Sequence, residues 1–243
     1  MATIAGGRLN SERRFYMGMA LFMIALVFIG FAQSFYMRGL IAISPRPNPT
    51  LPPLVMVHGL VFTGWMLLFL TQVGLVGANR RDLHRRLGMI GMAMAVLMVP
   101  LMYAVGVGQV ARANQPPGIT ALAWTALPLS GIPAFAILVG LGYRYRRDAQ
   151  VHKRLMLGAA LLMMHPAVGR LPIAPPTPVG MGVLGLLSAL CFVPLFIWDR
   201  RSMGRIHWAS KLGFALSLGV GIFYTTMLMT GWWDPIAAHL PGV

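Results

Sequence analysis

The sequence predicts an all-α protein, a polytopic bundle of transmembrane helices that forms a single domain over residues 1–243. Two observations on composition carry this prediction: 57% of the 243 residues are hydrophobic, and only 10% are charged. A soluble domain carries about 25% charged residues, so the composition argues against folding in water. The chain has a single cysteine, Cys191, so no intramolecular disulfide supports the fold.

The third observation is that the apolar residues form seven long runs, each read as one membrane span. Most runs exceed the roughly 18 residues that cross about 30 Å of hydrocarbon as a helix. The first run follows Arg13 and Arg14, but its length and its lack of a small-residue cleavage site favour a retained helix over a signal peptide. The fifth run is the shortest and contains Pro166, so its end is the least well defined. The runs cover residues 15–37, 54–77, 87–110, 119–143, 153–170, 180–198 and 208–231.

The basic residues are divided unequally between the gaps on the two sides of the predicted bundle. Of the 20 Lys and Arg residues, those on the poor side are Arg38, Arg46, Arg112 and Arg170. The rich side holds Arg8, Arg13, Arg14, Arg80, Arg81, Arg85, Arg86, Arg144, Arg146, Arg147, Lys153, Arg154, Arg200, Arg201, Arg205 and Lys211. Basic loops stay in the cytoplasm, so this pattern predicts a cytoplasmic N-terminus and an external C-terminus.

The net charge of +15 has a second interpretation, since basic chains also bind nucleic acid. The basic residues here are confined to short gaps between apolar runs, which favours topology signals over a nucleic-acid surface. The predicted surroundings are therefore a lipid bilayer, and no nucleic-acid partner is expected. The sequence leaves the oligomeric state open.

Three short segments repeat one pattern: LHRRLGMIG at 83–91, VHKRLMLGA at 151–159 and IHWASKLGF at 206–214. Each segment has a histidine at the inner membrane edge and a Leu-Gly pair within the next six residues. Each also opens an odd-numbered span. Either an internal duplication or the shared topology, basic residues followed by apolar ones, explains the pattern.

The histidines fall into two tiers within the predicted spans, and ionisable groups inside a membrane are candidates for function. His58 and His165 are expected about 6–8 Å inside the outer boundary, at about 1.5 Å per residue. The inner tier comprises His84, His152 and His207, at the inner boundary. His239 lies in the outer tail and is interpreted as incidental.

Two tiers of histidine on apolar helices are typical of bis-histidine haem b, in which iron takes two neutral imidazoles. The outer iron ligands would be His58 and His165, the first choice because they lie deepest. The inner pair would be drawn from the three histidines of the inner tier, and arginines at the inner edge would pair with the propionates. The sequence therefore predicts haem b as the cofactor.

Other interpretations of these histidines remain open at this stage. A boundary histidine beside arginines is also typical of a polar cap, and a buried histidine often bonds a neighbouring helix. His58 and His165 are also compatible with a metal ion, a proton relay or a quinone contact. The three inner histidines would suit a transition metal, although no acid or cysteine accompanies them inside the membrane.

The motifs HG…W…Q at 58–72, HRRLG at 84–88 and HKRLM…GR at 152–170 resemble a group of uncharacterised bacterial polytopic membrane proteins, a domain of unknown function. The resemblance extends over residues 54–171. It implies a helical inner-membrane protein and supplies no reaction. The chain is also similar, more weakly, to two-haem transmembrane b-type cytochromes, whose histidines occupy two tiers. It departs from them in placing three histidines at the membrane edge.

The functional hypothesis is an integral membrane protein that binds haem b and exchanges electrons with a quinone or a periplasmic redox partner. The alternatives are a transporter or channel, and a structural or assembly subunit of a membrane complex. Against a transporter, the five acids all lie at span ends or in loops, whereas ion-coupled carriers usually hold one inside. Motifs of soluble enzymes, such as a phosphate loop, GxSxG or HExxH, are absent from the sequence, so whether the protein is an enzyme stays open. The acids are Glu12, Asp82, Asp148, Asp199 and Asp234.

Overall fold

The computed structural model describes the backbone of residues 2–41 and 50–243 and, within these ranges, the side chains from Asn10 onward. The side chain of Arg8, and all of Arg46, lie outside the described residues. Regular structure in the described ranges is helical, apart from an isolated bridge between Arg38 and Ile41. The helices are α1 (Ala2–Phe31, continued by a π-helical turn, Ala32–Tyr36), α2 (Pro53–Gly77), α3 (Arg81–Arg112), α4 (Ala121–Trp124), α5 (Ala126–Arg144), α6 (Ala149–Leu162), α7 (His165–Val168), α8 (Pro178–Leu190), α9 (Val193–Met203), α10 (Trp208–Thr230) and α11 (Asp234–Ala237).

Six helical segments of the described chain are long and apolar enough to cross a membrane, as in a multi-pass membrane protein. They match six of the seven predicted runs. The segments are Asn10–Tyr36, Pro53–Gly77, Arg81–Arg112, Ala121–Arg144, Pro178–Met203 and Trp208–Thr230.

The fifth predicted run, 153–170, is divided between two helices of 14 and 4 residues. Each is shorter than the roughly 18 residues that cross a membrane as one helix. α6 ends at Leu162, and α7 begins at His165. Pro166 explains the break, because it has no N–H to donate to the carbonyl of Leu162 and its ring would clash with that carbonyl in a continuous helix. At the break, Met164 N–H bonds Leu161 O at 3.0 Å, a tighter turn than the α-helical one.

α6 is the most enclosed of the long helices, and after its polar first turn it is apolar on every face, from Leu155 to Leu162. Leu155, Leu157, Ala159, Ala160 and Leu161 are all fully buried. It packs against α5 and α10 along its length. The crossing with α10 is close because two glycines meet there: a Cβ added to Gly158 would lie 3.6 Å from the Cα of Gly213. A helix that is apolar all round belongs in the interior, as α6 does.

Contacts between distant residues define two ends of the bundle. At one end Arg13 of α1 donates to Asn79 after α2, and Lys153 of α6 forms an ion pair with Glu12 of α1 at 2.7 Å. We call this the basic end, because the Lys- and Arg-rich segments between the apolar runs lie there. At the opposite end the Thr120 hydroxyl donates to Asp234 at 2.8 Å, and Trp233 Nε1 donates to Thr125 at 2.8 Å.

Candidate functional site

At the basic end the structure brings two of the predicted inner histidines together. His84 and His152 are both in the first turn of their helices, α3 and α6. α6 begins where it does because Asp148 caps it, accepting the backbone N–H groups of Gln150 and Val151 at 2.9 and 3.1 Å. The imidazole centroids of the two histidines are 6.2 Å apart, and the rings meet at 82°. We call His84 and His152 the histidine pair.

A backbone carbonyl selects the tautomer of His152. Its Nδ1 lies 2.8 Å from the carbonyl oxygen of Gly142, near the end of α5. A carbonyl can only accept a hydrogen bond, so Nδ1 carries a proton, and in the neutral imidazole Nε2 is then the nitrogen with the lone pair. This is the form in which imidazole binds a metal, and ligating histidines usually hold their other N–H in such a bond.

Buried polar atoms without a hydrogen-bond partner occur on the other member of the pair and on Gln72 of α2. His84 Nδ1 is buried with no hydrogen bond, as are both amide atoms of Gln72 on α2. Gln72 lies against α3, since a Cβ added to Gly88 would be 3.7 Å from Gln72 Nε2. Buried polar groups are normally bonded, so such a group of atoms is a place where a ligand or ordered water is expected.

His207, the third inner histidine, has a different role from the histidine pair. Its Nδ1 accepts the backbone N–H of Ala209 at 3.1 Å and so caps the start of α10, and its ring lies beside Trp208. The polar-cap interpretation therefore describes His207. In the part of the chain that the structure describes, no group of three or more His, Cys, Asp or Glu side chains is placed to hold a metal ion.

The His207 cap predicts a pH-dependent stability. Burial, followed by the positive charge of Arg154, lowers the pKa of His207 from its usual value, although Asp199 opposes this. The unfolded chain therefore takes up the proton first, and the stabilisation is lost as the pH falls below about 6.5. His207→Asn keeps a side-chain acceptor that does not titrate. Thermal unfolding midpoints from pH 8 to pH 5 should show wild type falling relative to H207N, and a constant difference would contradict the expectation.

The outer histidines have separate partners. His165, at the start of α7, shares a 2.9 Å hydrogen bond between its Nε2 and the Ser217 hydroxyl of α10, and its ring meets Tyr224 edge-on at 6.1 Å. His58 stacks on Phe62 of its own helix at 4.1 Å. The Nδ1 atoms of both histidines are buried without a partner.

The helices that carry the outer histidines share α1 as a neighbour and differ in the other helix that they contact. α2 packs mainly against α1 and α3, and α7 mainly against α1 and α8. No ring contact joins His58 to His165 in this structure, and the outer haem stays a prediction. His239 is exposed, with its Nδ1 bonded to Pro235 O at 2.7 Å within its own turn.

A buried ion pair at the basic end was not predicted from the sequence. Arg154 and Asp199 have 1% and 0% of their surfaces exposed, and Arg154 Nε and Nη2 donate to Asp199 Oδ1 at 2.8 and 2.7 Å. Oδ2 of Asp199 accepts the His207 backbone N–H at 3.0 Å and the Ser210 hydroxyl at 2.7 Å. Arg154 Nη1 donates to both oxygens of Gln150 at 2.7–2.8 Å. The pair thus links α6, α9 and α10.

Asp199 corrects the expectation that the acids lie away from the interior. Asp199 is near a span end in sequence, as expected, but it is fully buried. The argument that no interior acid is present, which was directed against a transporter, is therefore wrong.

The sequence of α6 did contain a signal for the buried ion pair. Arg154, Leu157 and Leu161 follow the i, i+3, i+7 spacing of one helix face, and all three are buried.

Three consecutive residues of α6 contact three different parts of the bundle. His152 faces His84 of α3, Lys153 faces Glu12 of α1, and Arg154 faces Asp199 of α9. Successive residues of an α-helix point about 100° apart, so a run of three polar residues spreads around the helix. This is how a short enclosed helix carries three polar contacts in one turn.

The basic end therefore combines a histidine pair, unpartnered polar atoms and a saturated ion pair. Functional assignment must rest on this geometry. Comparison of the chain with protein-family models, with curated proteins and with solved structures found no match.

Proposed function

We propose that this chain is a multi-pass protein of the bacterial inner membrane that binds haem b through His84 and His152. It would exchange electrons with a quinone or with a redox protein. The observation that carries the proposal is the histidine pair: two imidazoles from separate helices, 6.2 Å apart, one of them with its tautomer set for ligation.

The separation of the rings suits a shared metal. With metal–nitrogen bonds of about 2.0–2.1 Å, an ion between two imidazoles holds their centroids roughly 6 Å apart. Arg85 and Arg86, exposed next to His84, are available to pair with carboxylates such as propionates. When bound, haem b would supply one-electron chemistry. The chain's own contribution is to present two neutral imidazoles and to hold them with Gly142 and the surrounding helices.

The proposed topology has seven crossings, with α6 and α7 together forming the fifth. Two observations support it. α6 begins at the basic end, where Lys153 meets Glu12, whereas α7 packs against the far part of α1, where Gly30 adjoins Ala167. Because basic segments are retained in the cytoplasm, the basic end and the N-terminus would lie inside.

Optical spectra of the purified protein, oxidised and reduced, test the haem proposal. We expect a Soret band that shifts on reduction in wild type, and its loss or strong reduction in His84→Ala and in His152→Ala. His239→Ala is the matched control and should keep the wild-type spectrum. His58→Ala and His165→Ala test the predicted outer haem. Each should remove only the part of the Soret absorbance that comes from that haem.

Two results would overturn the proposal. One is a colourless protein after expression with ample haem. The other is a full haem content in both H84A and H152A. A colourless protein would favour the transporter alternative, because buried acids often mark ion pathways. Asp199 is the observation behind that alternative, although its carboxylate already accepts hydrogen bonds from three residues.

A further inference from the structure

We infer that the basic end carries a binding surface for the headgroup of an anionic phospholipid, built by the end of α5 and the start of α10. Arginine side chains hold the phosphate group, and the acyl chains lie along the apolar faces of the two helices. This inference goes beyond the proposed function, because it requires only that the protein lies in a bilayer and does not depend on haem binding.

Two exposed aromatic side chains mark the place where these segments meet. The rings of Tyr145 and Trp208 are 5.7 Å apart at an angle of 70°, and α5 packs against α10. Both rings are more than one-third exposed, at 38% and 46%. We call these two residues, together with the cations within three residues of either, the interface patch. The cations are Arg144, Arg146, Arg147, Arg205 and Lys211, and all five are exposed.

The interface patch lies where the apolar segments end, which is the level of lipid headgroups. Arg144 is the last residue of the segment Ala121–Arg144, and Trp208 is the first residue of Trp208–Thr230. Tyrosine and tryptophan are enriched at membrane–water interfaces, where their rings lie among the headgroups. Farther along the same helices, Ile137 of α5 and Ile222 of α10 are exposed, as expected of faces that contact acyl chains. A lipid beside these helices therefore has its phosphate at the patch.

The cations of the interface patch have no counter-charge from the protein. Among the residues that the structure describes, the ion pairs belong to Arg80, Lys153 and Arg154, so none involves a cation of the patch. The acid next to the patch is Asp148, and it accepts the backbone N–H groups at the start of α6. Phosphate oxygens are the complementary partner, because guanidinium groups bind them through paired hydrogen bonds.

Two of the guanidinium groups are already oriented by aromatic rings. Cζ of Arg144 is 5.7 Å from the ring centroid of Tyr145, and Cζ of Arg146 is 4.3 Å from that of Tyr143. Arg146 also donates from Nη1 to the backbone oxygen of Tyr143 at 3.1 Å. Contact with a ring restricts the side chain before a ligand arrives, so less conformational entropy is lost on binding. Each guanidinium has five N–H donors, which leaves several of them for phosphate.

The test is a titration of the purified protein in a neutral detergent with dioctanoyl phosphatidylglycerol, followed by the thermal unfolding midpoint. We expect this lipid to raise the midpoint of wild type, and dioctanoyl phosphatidylcholine to raise it less. The double variant Arg144→Gln, Arg205→Gln should need about 10–30-fold more phosphatidylglycerol for the same rise, since each cation contributes about fivefold near an anionic surface. The matched control is Arg14→Gln with Arg81→Gln, two exposed arginines of the basic end outside the patch, which should respond like wild type.

Four results would overturn the inference. Equal rises with the two lipids would show that the charge of the headgroup is not recognised. Equal weakening in R144Q/R205Q and R14Q/R81Q would show that net charge acts, not the interface patch. The same rise with glycerol 3-phosphate would identify a site for free phosphate, and a larger rise with a short DNA oligonucleotide would identify a nucleic-acid surface.

A salt titration of wild type tests the same point without a variant. At about 1 M salt the screening length falls to about 3 Å, so the difference between the two lipids should disappear. A difference that persists at this salt concentration would contradict recognition by the exposed cations. This measurement decides the matter if R144Q/R205Q is less stable than wild type before lipid is added.

Discussion

Asp199→Ala is expected to lower the free energy of unfolding by about 3–5 kcal/mol, the cost typical of breaking a buried ion pair from one side. The guanidinium of Arg154 is 1% exposed and would be left without a counter-charge. The backbone N–H of His207 and the hydroxyl of Ser210 would also lose their acceptor. Because these bonds join α6, α9 and α10, the loss acts on three helices at once. Thermal unfolding in detergent micelles measures the effect.

A second Arg–Asp pair in the same chain supplies the control. Arg80 and Asp82 are 3.4 Å apart with side chains 57% and 58% exposed, so water screens their attraction. Asp82→Ala should leave the unfolding midpoint close to wild type. Equal midpoints for D199A and D82A would show that the buried pair contributes no more than the exposed one. Asp199→Asn, which keeps the shape and part of the hydrogen bonding, should fall between D199A and wild type.

Gly30→Ala is expected to destabilise the protein by about 1–3 kcal/mol, as overpacking in a filled interior does. A Cβ at this position would lie 2.5 Å from the carbonyl oxygen of Ala167 and 2.9 Å from its Cα. These are backbone atoms, so relief requires α7 to move away from α1. Since His165 opens α7, its bond to Ser217 would be disturbed as well. The midpoint of thermal unfolding checks the effect on stability.

Gly18→Ala, on the same helix, has the opposite expected sign. No atom outside the helix backbone lies within 4 Å of a Cβ added at Gly18. Alanine there should stabilise α1 by up to about 1 kcal/mol, because glycine has the lower helix propensity. A destabilised G18A would contradict the open surroundings of Gly18, and an unaffected G30A would mean that the contact between α1 and α7 is not as close as the structure places it.

Hydropathy alone predicted six of the long helices, because a bilayer requires each apolar run that crosses it to have a minimum length. Six runs correspond to helices that are long enough to cross a membrane. The fifth was the least certain, and it is the one that divides, at Met163 and Met164 before Pro166. Repeat segments placed His84 and His152 at one level, but which inner histidines meet depends on helix rotation and neighbour choice. One sequence without its contacts does not determine either.

The buried ion pair shows why the rest of the site was missed. Arg154 and Asp199 both stand next to basic gaps, where a charge is usually a topology signal or a solvated cap. Hydropathy treats such positions as the ends of spans and assigns them to water. Their burial follows from tertiary packing, which encloses the first turn of α6 and the last turns of α9. The unpaired amide of Gln72 likewise depends on the packing of α3 beside α2, which the sequence does not show.

The three polar contacts of α6 also restrict how the chain can vary in length. His152, Lys153 and Arg154 each meet a different helix within one turn. Adding or deleting one residue between Asp148 and His152 would rotate all three by about 100°, and no single contact could be kept without abandoning the others. In the connection from α5 into α6, an insertion or deletion should therefore be more damaging than a point substitution.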